Sequence, residues 1–173
     1  MAGTEPETRV GNTARKGGGV KEIMTTACLE SETSPWHEEL GMLLAALDDS
    51  PLECDGLTHA VSFVLHQAGI KHRCAMGFVK DADTGNCVAP HVWVELADGW
   101  IVDFRLRMWL GDEDRVPHGV FHPASNKTFR FHGEYRDRSS TINHRVLDMM
   151  TEGRLSHVKV SREFVEENPN VRV

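Results

Sequence analysis

The chain has 173 residues, which is the size of one domain with a buried core. Apolar residues make up 40% of it, charged residues make up 26%, and the formal net charge is −7. This balance argues against nucleic acid as a partner, because phosphate binding needs a basic surface. No apolar run approaches the ~20 residues of a membrane-spanning helix, so we expect no membrane contact.

Residues 1–22 are rich in Gly, Thr and charged side chains, and they lack the apolar centre of a secretory signal. We predict a disordered N-terminal segment over residues 1–22 and a single domain over residues 23–173. Four cysteines are present without any C-x-x-C pair: Cys28, Cys54, Cys74 and Cys87. In the absence of a secretory signal, we expect free thiols and a cytoplasmic protein.

Two amphipathic helices are predicted next. Ser34-Pro35 is a typical helix start, and one apolar stripe follows it, formed by Trp36, Leu40, Leu43, Leu44 and Leu47. The second helix is predicted from Cys54 to Ala68, with Gly69 ending it. Cys54 therefore falls at a helix start, on the side of the helix that packs inward.

The remaining elements are predicted from periodicity and turn residues. Residues 70–79 are expected to form a strand, and residues 80–90 a loop. Residues 141–152 have apolar side chains at helical spacing, and residues 155–160 are expected to form a final strand.

The stretch HVWVELADGWIVDF, residues 91–104, predicts a β-hairpin closed at an Asp-Gly turn. A two-residue turn and a three-residue loop differ by one residue in register, and that step moves every side chain of one strand to the other face. Only the three-residue loop gives a fully apolar face, so we predict that register. Its pairs are Leu96–Trp100, Val94–Val102 and Val92–Phe104. The other face then carries Asp103 opposite Trp93 and diagonal to His91.

Cys54, His91 and Asp103 are the parts of a cysteine nucleophile system. The thiolate is the reactive form, and a helix N-terminus and a nearby imidazolium both favour it. A carboxylate beside the imidazole fixes the tautomer and orientation of the ring. Backbone amides at the helix start are candidates to hold the oxyanion of acyl transfer. No side chain is assigned to that role, although Trp36 and His37 are considered for it.

The segments ECDGLTHAVSFVLHQAGI, PHVWVEL and GWIVDF resemble, in that order, the transglutaminase-like superfamily of papain-related enzymes. The shared pattern is a Cys on a helix closed by a Gly-Ile turn, then H-x-W-x-E, then G-W-x-x-D. The resemblance spans about residues 53–104. It implies an α+β fold with a papain/transglutaminase-like core, in which N-terminal helices pack on an antiparallel sheet. It further implies Cys54 as nucleophile, His91 as general base and acid, and Asp103 as the residue that orients the ring.

The expected reaction is attack by Cys54 on an amide bond of a protein or peptide substrate, without a cofactor. Water would resolve the acyl-enzyme in a cysteine peptidase or glutamine deamidase, and an amine would resolve it in a transglutaminase. We favour hydrolysis, because the small chain has no obvious second site for an amine. Trp93 and Trp36 are predicted to contact the substrate.

Two alternatives stay open. The first is a catalytically silent domain of the same fold that binds a protein partner. The second is a zinc-binding domain built on the Cys87-x-x-x-His91 spacing, with the remaining ligands drawn from Cys74, His118, His122 and His132. The main hypothesis assigns no metal ligand.

Overall fold

The computed structural model describes residues 34–136 and 143–172, and it has an α+β fold built on an antiparallel sheet. The strands are β1 (His72–Asp81), β2 (Cys87–Leu96), β3 (Ile101–Asp103), β4 (Gly119–Phe121) and β5 (Phe129–Arg136). They lie in the order β4-β3-β2-β1-β5. The segment 1–22, predicted to be disordered, and Cys28 lie outside the described residues.

The first two helices of the described residues pack on one face of this sheet. The helices are α1 (Pro35–Leu44), α2 (Cys54–Ala68), α3 (Leu106–Leu110), α4 (His144–Met150) and α5 (Arg162–Glu166). Short 3-10 turns occur at Ala45–Leu47, Pro123–Ser125, Arg154–His157 and Pro169–Val171. Within the described ranges, no helix is both long enough and apolar enough to cross a membrane.

The first two helices confirm the sequence prediction. The apolar stripe is buried except for Leu43, which is partly buried, and the chain continues past Leu44 as a 3-10 turn to Leu47. The second helix begins at Cys54 and ends at Ala68, followed by Gly69 with φ 77°. Glycine adopts this left-handed conformation without the steric cost that a Cβ imposes, which is why the helix stops there.

The main core lies between these helices and one face of the sheet. Side chains of α1 and α2 pack there against Cys74, Val94, Leu96, Val102 and Phe104. A second, smaller cluster consists of Ala75, Trp93 and Ile101, with Phe121 and Phe131 packed against it. Both faces of the β2–β3 hairpin are therefore covered.

The predicted register of that hairpin is confirmed. Val94 pairs with Val102, and the Leu96 amide donates to the Trp100 carbonyl over 2.8 Å. Gly99 has φ 90°, as the left-handed position of a three-residue loop requires. The apolar pattern favours this register because the alternative register would bury polar side chains.

The strand boundaries around β1 and β2 differ from the prediction. β1 runs over His72–Asp81, and β2 begins at Cys87, so the loop is shorter than predicted. Pro90 had indicated a loop because proline lacks an amide donor. In the structure, Pro90 lies where the β1–β2 register shifts between Gly77 and Val79, so the missing donor interrupts no regular pair.

The C-terminal part holds the largest errors of the sequence analysis. β4 and β5 were not predicted, and the predicted strand over residues 155–160 is wrong. The Arg154–His157 segment is a 3-10 turn. The Leu155 amide donates to Thr151 Oγ1 over 3.1 Å, and the Leu155 side chain is buried in the main core, so this segment is not free to extend as a strand. The predicted helix over 141–152 is present as α4, with residues 141 and 142 outside the described part.

Candidate active site

His91 and Asp103 form a buried hydrogen-bonded pair across the β2–β3 hairpin. His91 Nε2 lies 2.6 Å from Asp103 Oδ2, and the exposed fractions of the two side chains are 0% and 1%. The ring therefore donates Nε2–H to a carboxylate, which leaves Nδ1 as the other ring nitrogen. In the structure, Nδ1 is buried and has no hydrogen-bond partner.

Backbone amides fix the orientation of the Asp103 carboxylate. Its Oδ1 accepts from the Arg105 amide over 2.8 Å and from the Leu106 amide over 3.2 Å. These amides belong to the turn into α3, where the first N–H groups of a helix lack intrahelical acceptors. Oδ2 is thereby aimed at His91.

The first turn of α2 lies beside the strand that carries His91. The Thr58 hydroxyl, one helical turn after Cys54, donates to the carbonyl of Val92 over 3.2 Å. Cys54 and Asp103 also line the same small interior space of about 10 Å³. Cys54 is a free thiol and is half-buried. The structure thus brings together the three residues that the sequence singled out.

The pKa of His91 reflects both neighbours. Burial alone would lower the pKa of the imidazole, but the hydrogen bond to Asp103 and the interaction with the Cys54 side chain raise it. The result is a rise from 6.5 to about 9. Because Asp103 holds Nε2, Nδ1 is the nitrogen left to exchange a proton with the thiol. A protonated ring at neutral pH stabilises a neighbouring thiolate.

A groove of about 690 Å³ opens at Cys54. Residues from the start of α2, the end of α3, β1 and the beginning of β2 line it. Its lining residues are Glu53, Cys54, Asp55, Met76, Asn86, Cys87, Val88, Ala89, Pro90, Val92, Trp109 and Leu110. The thiol therefore faces a space large enough for a small ligand or a peptide segment.

Arg105 connects this site to the loop before Cys54, and the sequence analysis assigned it no role. Its side chain is 4% exposed, and it donates to the carbonyls of Asp48, Ser50 and Leu52 over 2.6–2.9 Å. It also forms an ion pair with the Asp48 carboxylate at 2.9 Å. The available signal was an arginine inside the apolar run IVDFRLRMWL, two residues after Asp103.

Trp93 lies beside the imidazole but does not line the groove. The two ring centroids are 6.1 Å apart, and the indole is 2% exposed. A Cβ added to Gly133 would lie 2.6 Å from the indole, so this glycine makes room for it. The position suits a side chain that shields His91 from solvent. The expected substrate contact of Trp93 therefore finds no support in the lining of the groove.

Trp36 and His37 lie at the opposite end of the hairpin. Trp36 is packed in the core, stacks on Phe164 and donates its indole N–H to the Phe164 carbonyl over 2.8 Å. His37 binds Asp98, which belongs to the hairpin turn, over 3.0 Å. The expected substrate contact of Trp36 and the considered oxyanion role of either residue therefore find no support, because α1 packs at the turn and away from the groove.

The candidate zinc ligands do not form a site. No three His, Cys, Asp or Glu side chains of residues 34–136 and 143–172 come together in a way that could hold a metal ion. Cys74 is buried in the main core, whereas Cys87 is exposed at the groove. His132 stacks on Phe78, and His118 binds Asp48, so these side chains serve other contacts.

Comparisons with known proteins yield no relative. No family model, no curated protein and no solved structure matches this chain.

Proposed function

We propose that the chain is a cysteine-dependent hydrolase of amide bonds in proteins or peptides, with a papain/transglutaminase-like core. One observation carries the proposal: a buried His91–Asp103 pair leaves one ring nitrogen for Cys54, at the start of a helix that opens onto a groove. A nucleophile beside a base that a third group orients is the general arrangement of covalent catalysis.

The reaction would proceed through a thioester. The Cys54 thiolate attacks the amide carbonyl carbon, and the pair of electrons of the C=O π bond moves to the oxygen. When the tetrahedral intermediate collapses, the imidazolium of His91 gives its proton to the leaving nitrogen, and ammonia or an amine departs. Water then attacks the thioester while His91 accepts its proton. The thiolate leaves, and a carboxylic acid is released.

The start of α2 supplies the groups that would stabilise the oxyanion. The amide of Cys54 belongs to the first turn, where backbone N–H groups have no intrahelical acceptor and the helix dipole is positive. Such donors act where charge develops in the transition state. Buried Asp103 keeps its role as the partner of His91 throughout these steps.

Selective alkylation tests the nucleophile. We expect iodoacetamide to modify Cys54 at least about tenfold faster than the exposed Cys87 near pH 7, because only Cys54 has an imidazolium partner. Digestion after Lys, Arg and Glu places each cysteine on its own peptide, so mass spectrometry reads the two rates separately. Equal rates at Cys54 and Cys87 would refute the proposal.

Intact-mass analysis of candidate substrate proteins tests the reaction class. Deamidation of a glutamine adds about one dalton, proteolysis gives fragments, and amine transfer gives a cross-linked or larger product. We expect one of the first two, and we expect Cys54→Ala to abolish it while the fold is retained. A biological effect that survives Cys54→Ala would support the silent binding domain instead.

A further inference from the structure

We propose, resting on the proposed function, that the groove selects an extended peptide segment with an apolar side chain and a lysine or arginine near the bond that Cys54 attacks. The groove provides length, an apolar surface and negative charge, and each of these comes from different residues. Glu53, Asp55, Met76 and Trp109 are the specificity-determining residues.

The length of the groove fits a peptide. Its wall follows residues 86–92, and Val92 and Cys54 line the same smaller interior space. Cys87 and Val92 pair with Lys80 and Met76, which are four residues apart on β1, so this wall spans about 13 Å, the length of about four residues of extended chain. A free amino-acid amide would fill only a fraction of this length.

The charge of the groove is one-sided. Glu53 and Asp55 flank Cys54 in sequence, both line the groove and both are exposed. Among the described residues that line the groove, none is Lys, Arg or His. A cationic substrate side chain is therefore attracted to the Cys54 end, and an anionic side chain or a free C-terminal carboxylate is repelled. This repulsion favours substrates in which an internal residue, and not the C-terminal residue, supplies the acyl group.

The apolar surface lies on the strands and on α3. Met76 and Trp109 are 37% and 55% exposed, and both line the groove together with Val88, Pro90 and Leu110. Exposed methionine and tryptophan are typical of sites that bind apolar side chains. They provide the contact for the apolar residue of the peptide.

Charged thiol reagents test the electrostatic part without a known substrate. Three methanethiosulfonates carry a cationic aminoethyl, a neutral methyl or an anionic sulfonatoethyl group, and each forms a mixed disulfide with a cysteine and releases methanesulfinate. We expect the aminoethyl reagent to modify Cys54 about tenfold or more faster than the sulfonatoethyl reagent, after division by the same rate ratio measured with the uncharged thiol 2-mercaptoethanol. Glu53→Gln combined with Asp55→Asn should reduce the corrected ratio to about one.

A control variant with the same change in net charge tests whether the rate ratio depends on the carboxylates of the groove or on the total charge of the protein. Glu166→Gln combined with Glu167→Gln neutralises two exposed carboxylates at the end of α5, which do not line the groove. This pair should leave the ratio at Cys54 unchanged. An equal fall in the ratio for both double variants would overturn the proposal, as would a ratio near one in the unaltered protein. A slow reaction of Cys54 with all three reagents would instead count against the proposed function.

Peptide protection tests the complete proposal. Acetylated hexapeptide amides that differ at one position are added as competitors of iodoacetamide, and protection of Cys54 is measured. We expect a peptide with Lys and Leu to protect at about fivefold lower concentration than its Glu or Gly counterparts. Met76→Ser should remove the preference for Leu, and Met149→Ser, at an exposed position of α4, should not. Equal protection by all peptides would overturn the proposal. If an amine is added and becomes incorporated into the product, the proposal is also overturned. The acidic side chains of the groove would then bind the amine that accepts the acyl group, and not a cationic side chain of the peptide.

Discussion

Two His–Asp pairs take their carboxylate from the same hairpin, and of these two only His91–Asp103 lies beside a thiol that lines the groove. His91 binds Asp103, the last residue of β3, at 2.6 Å, and His37 binds Asp98 at the turn at 3.0 Å. Both rings are buried, with exposed fractions of 0% and 3%. In both pairs, Nε2 is the atom that faces the carboxylate. Distance and burial alone therefore do not distinguish a candidate catalytic pair from a structural one.

The difference lies in the second ring nitrogen. His37 Nδ1 is 2.7 Å from the Ser34 hydroxyl, and Trp100 stacks on the ring at 3.8 Å. His91 Nδ1 has no hydrogen-bond partner, and the neighbouring thiol opens onto the groove. A pair whose hydrogen-bonding capacity is complete stabilises the fold, whereas a pair with one nitrogen left beside a nucleophile can move a proton.

The pH dependence of stability should show the largest effect. The pKa of His91 is raised from 6.5 to about 9, so its contribution is complete below pH 6.5 and is lost as the pH rises through 9. A shift of this size corresponds to about 3 kcal/mol of unfolding free energy. Urea unfolding at pH 6.5 and pH 9.5 should show the loss. Asp103→Asn should reduce this difference in unfolding free energy between the two pH values, whereas Asp98→Asn should retain it. The same difference in both variants would contradict the assigned pairing of His91 with Asp103.

Replacement of each histidine gives the next largest effect. His91→Asn should slow the alkylation of Cys54 by about 100-fold near pH 6, because the imidazolium that favours the thiolate is lost. His37→Asn should leave that rate within about twofold, because His37 contacts Ser34 and Asp98 at the other end of the hairpin. Rates are measured below the unfolding transition of each variant. A comparable slowing in both variants would show that the second pair also supports the thiol.

The sequence predicted α2 and the β2–β3 hairpin better than it predicted the groove. The limits of α2 and the hairpin register were predictable because Gly69 and the apolar alternation act locally. The contact between His91 and Asp103 followed from that register. The groove was not predictable, because Trp109 and Met76 line it together only through the packing of α3 against β2, which is set by the tertiary structure. β5 carried an alternating signal in Phe129, Phe131 and Tyr135, but the arginines and glutamate among them suggested a solvated surface.

Arg105 tests whether the loop before Cys54 must be held in place. Arg105→Lys keeps the charge but loses the planar group that reaches the carbonyls of Asp48, Ser50 and Leu52. We expect a loss of about 2 kcal/mol in unfolding free energy. We also expect slower alkylation of Cys54 in the folded protein, with an unchanged pH midpoint. Arg154→Lys, which alters an exposed pair with Glu152, should cost under ~0.5 kcal/mol and leave the rate unchanged. Loss of stability without any change in rate would restrict Arg105 to a structural role.

The smallest effect is expected when the His37–Asp98 pair is altered so that it resembles the His91–Asp103 pair. Ser34→Ala removes the hydroxyl that His37 Nδ1 contacts, so a buried ring nitrogen loses its partner. The Ser34 side chain makes no capping bond to α1, and the cost should therefore be that of one hydrogen bond, about 1 kcal/mol. Ser62→Ala is the matched control, because Ser62 Oγ lies 2.8 Å from His72 Nε2. Both variants should lose similar stability in urea unfolding and keep the alkylation rate of Cys54. A changed rate in Ser34→Ala alone would mean that the two ends of the hairpin are coupled, and the distinction between a structural and a catalytic pair would fail.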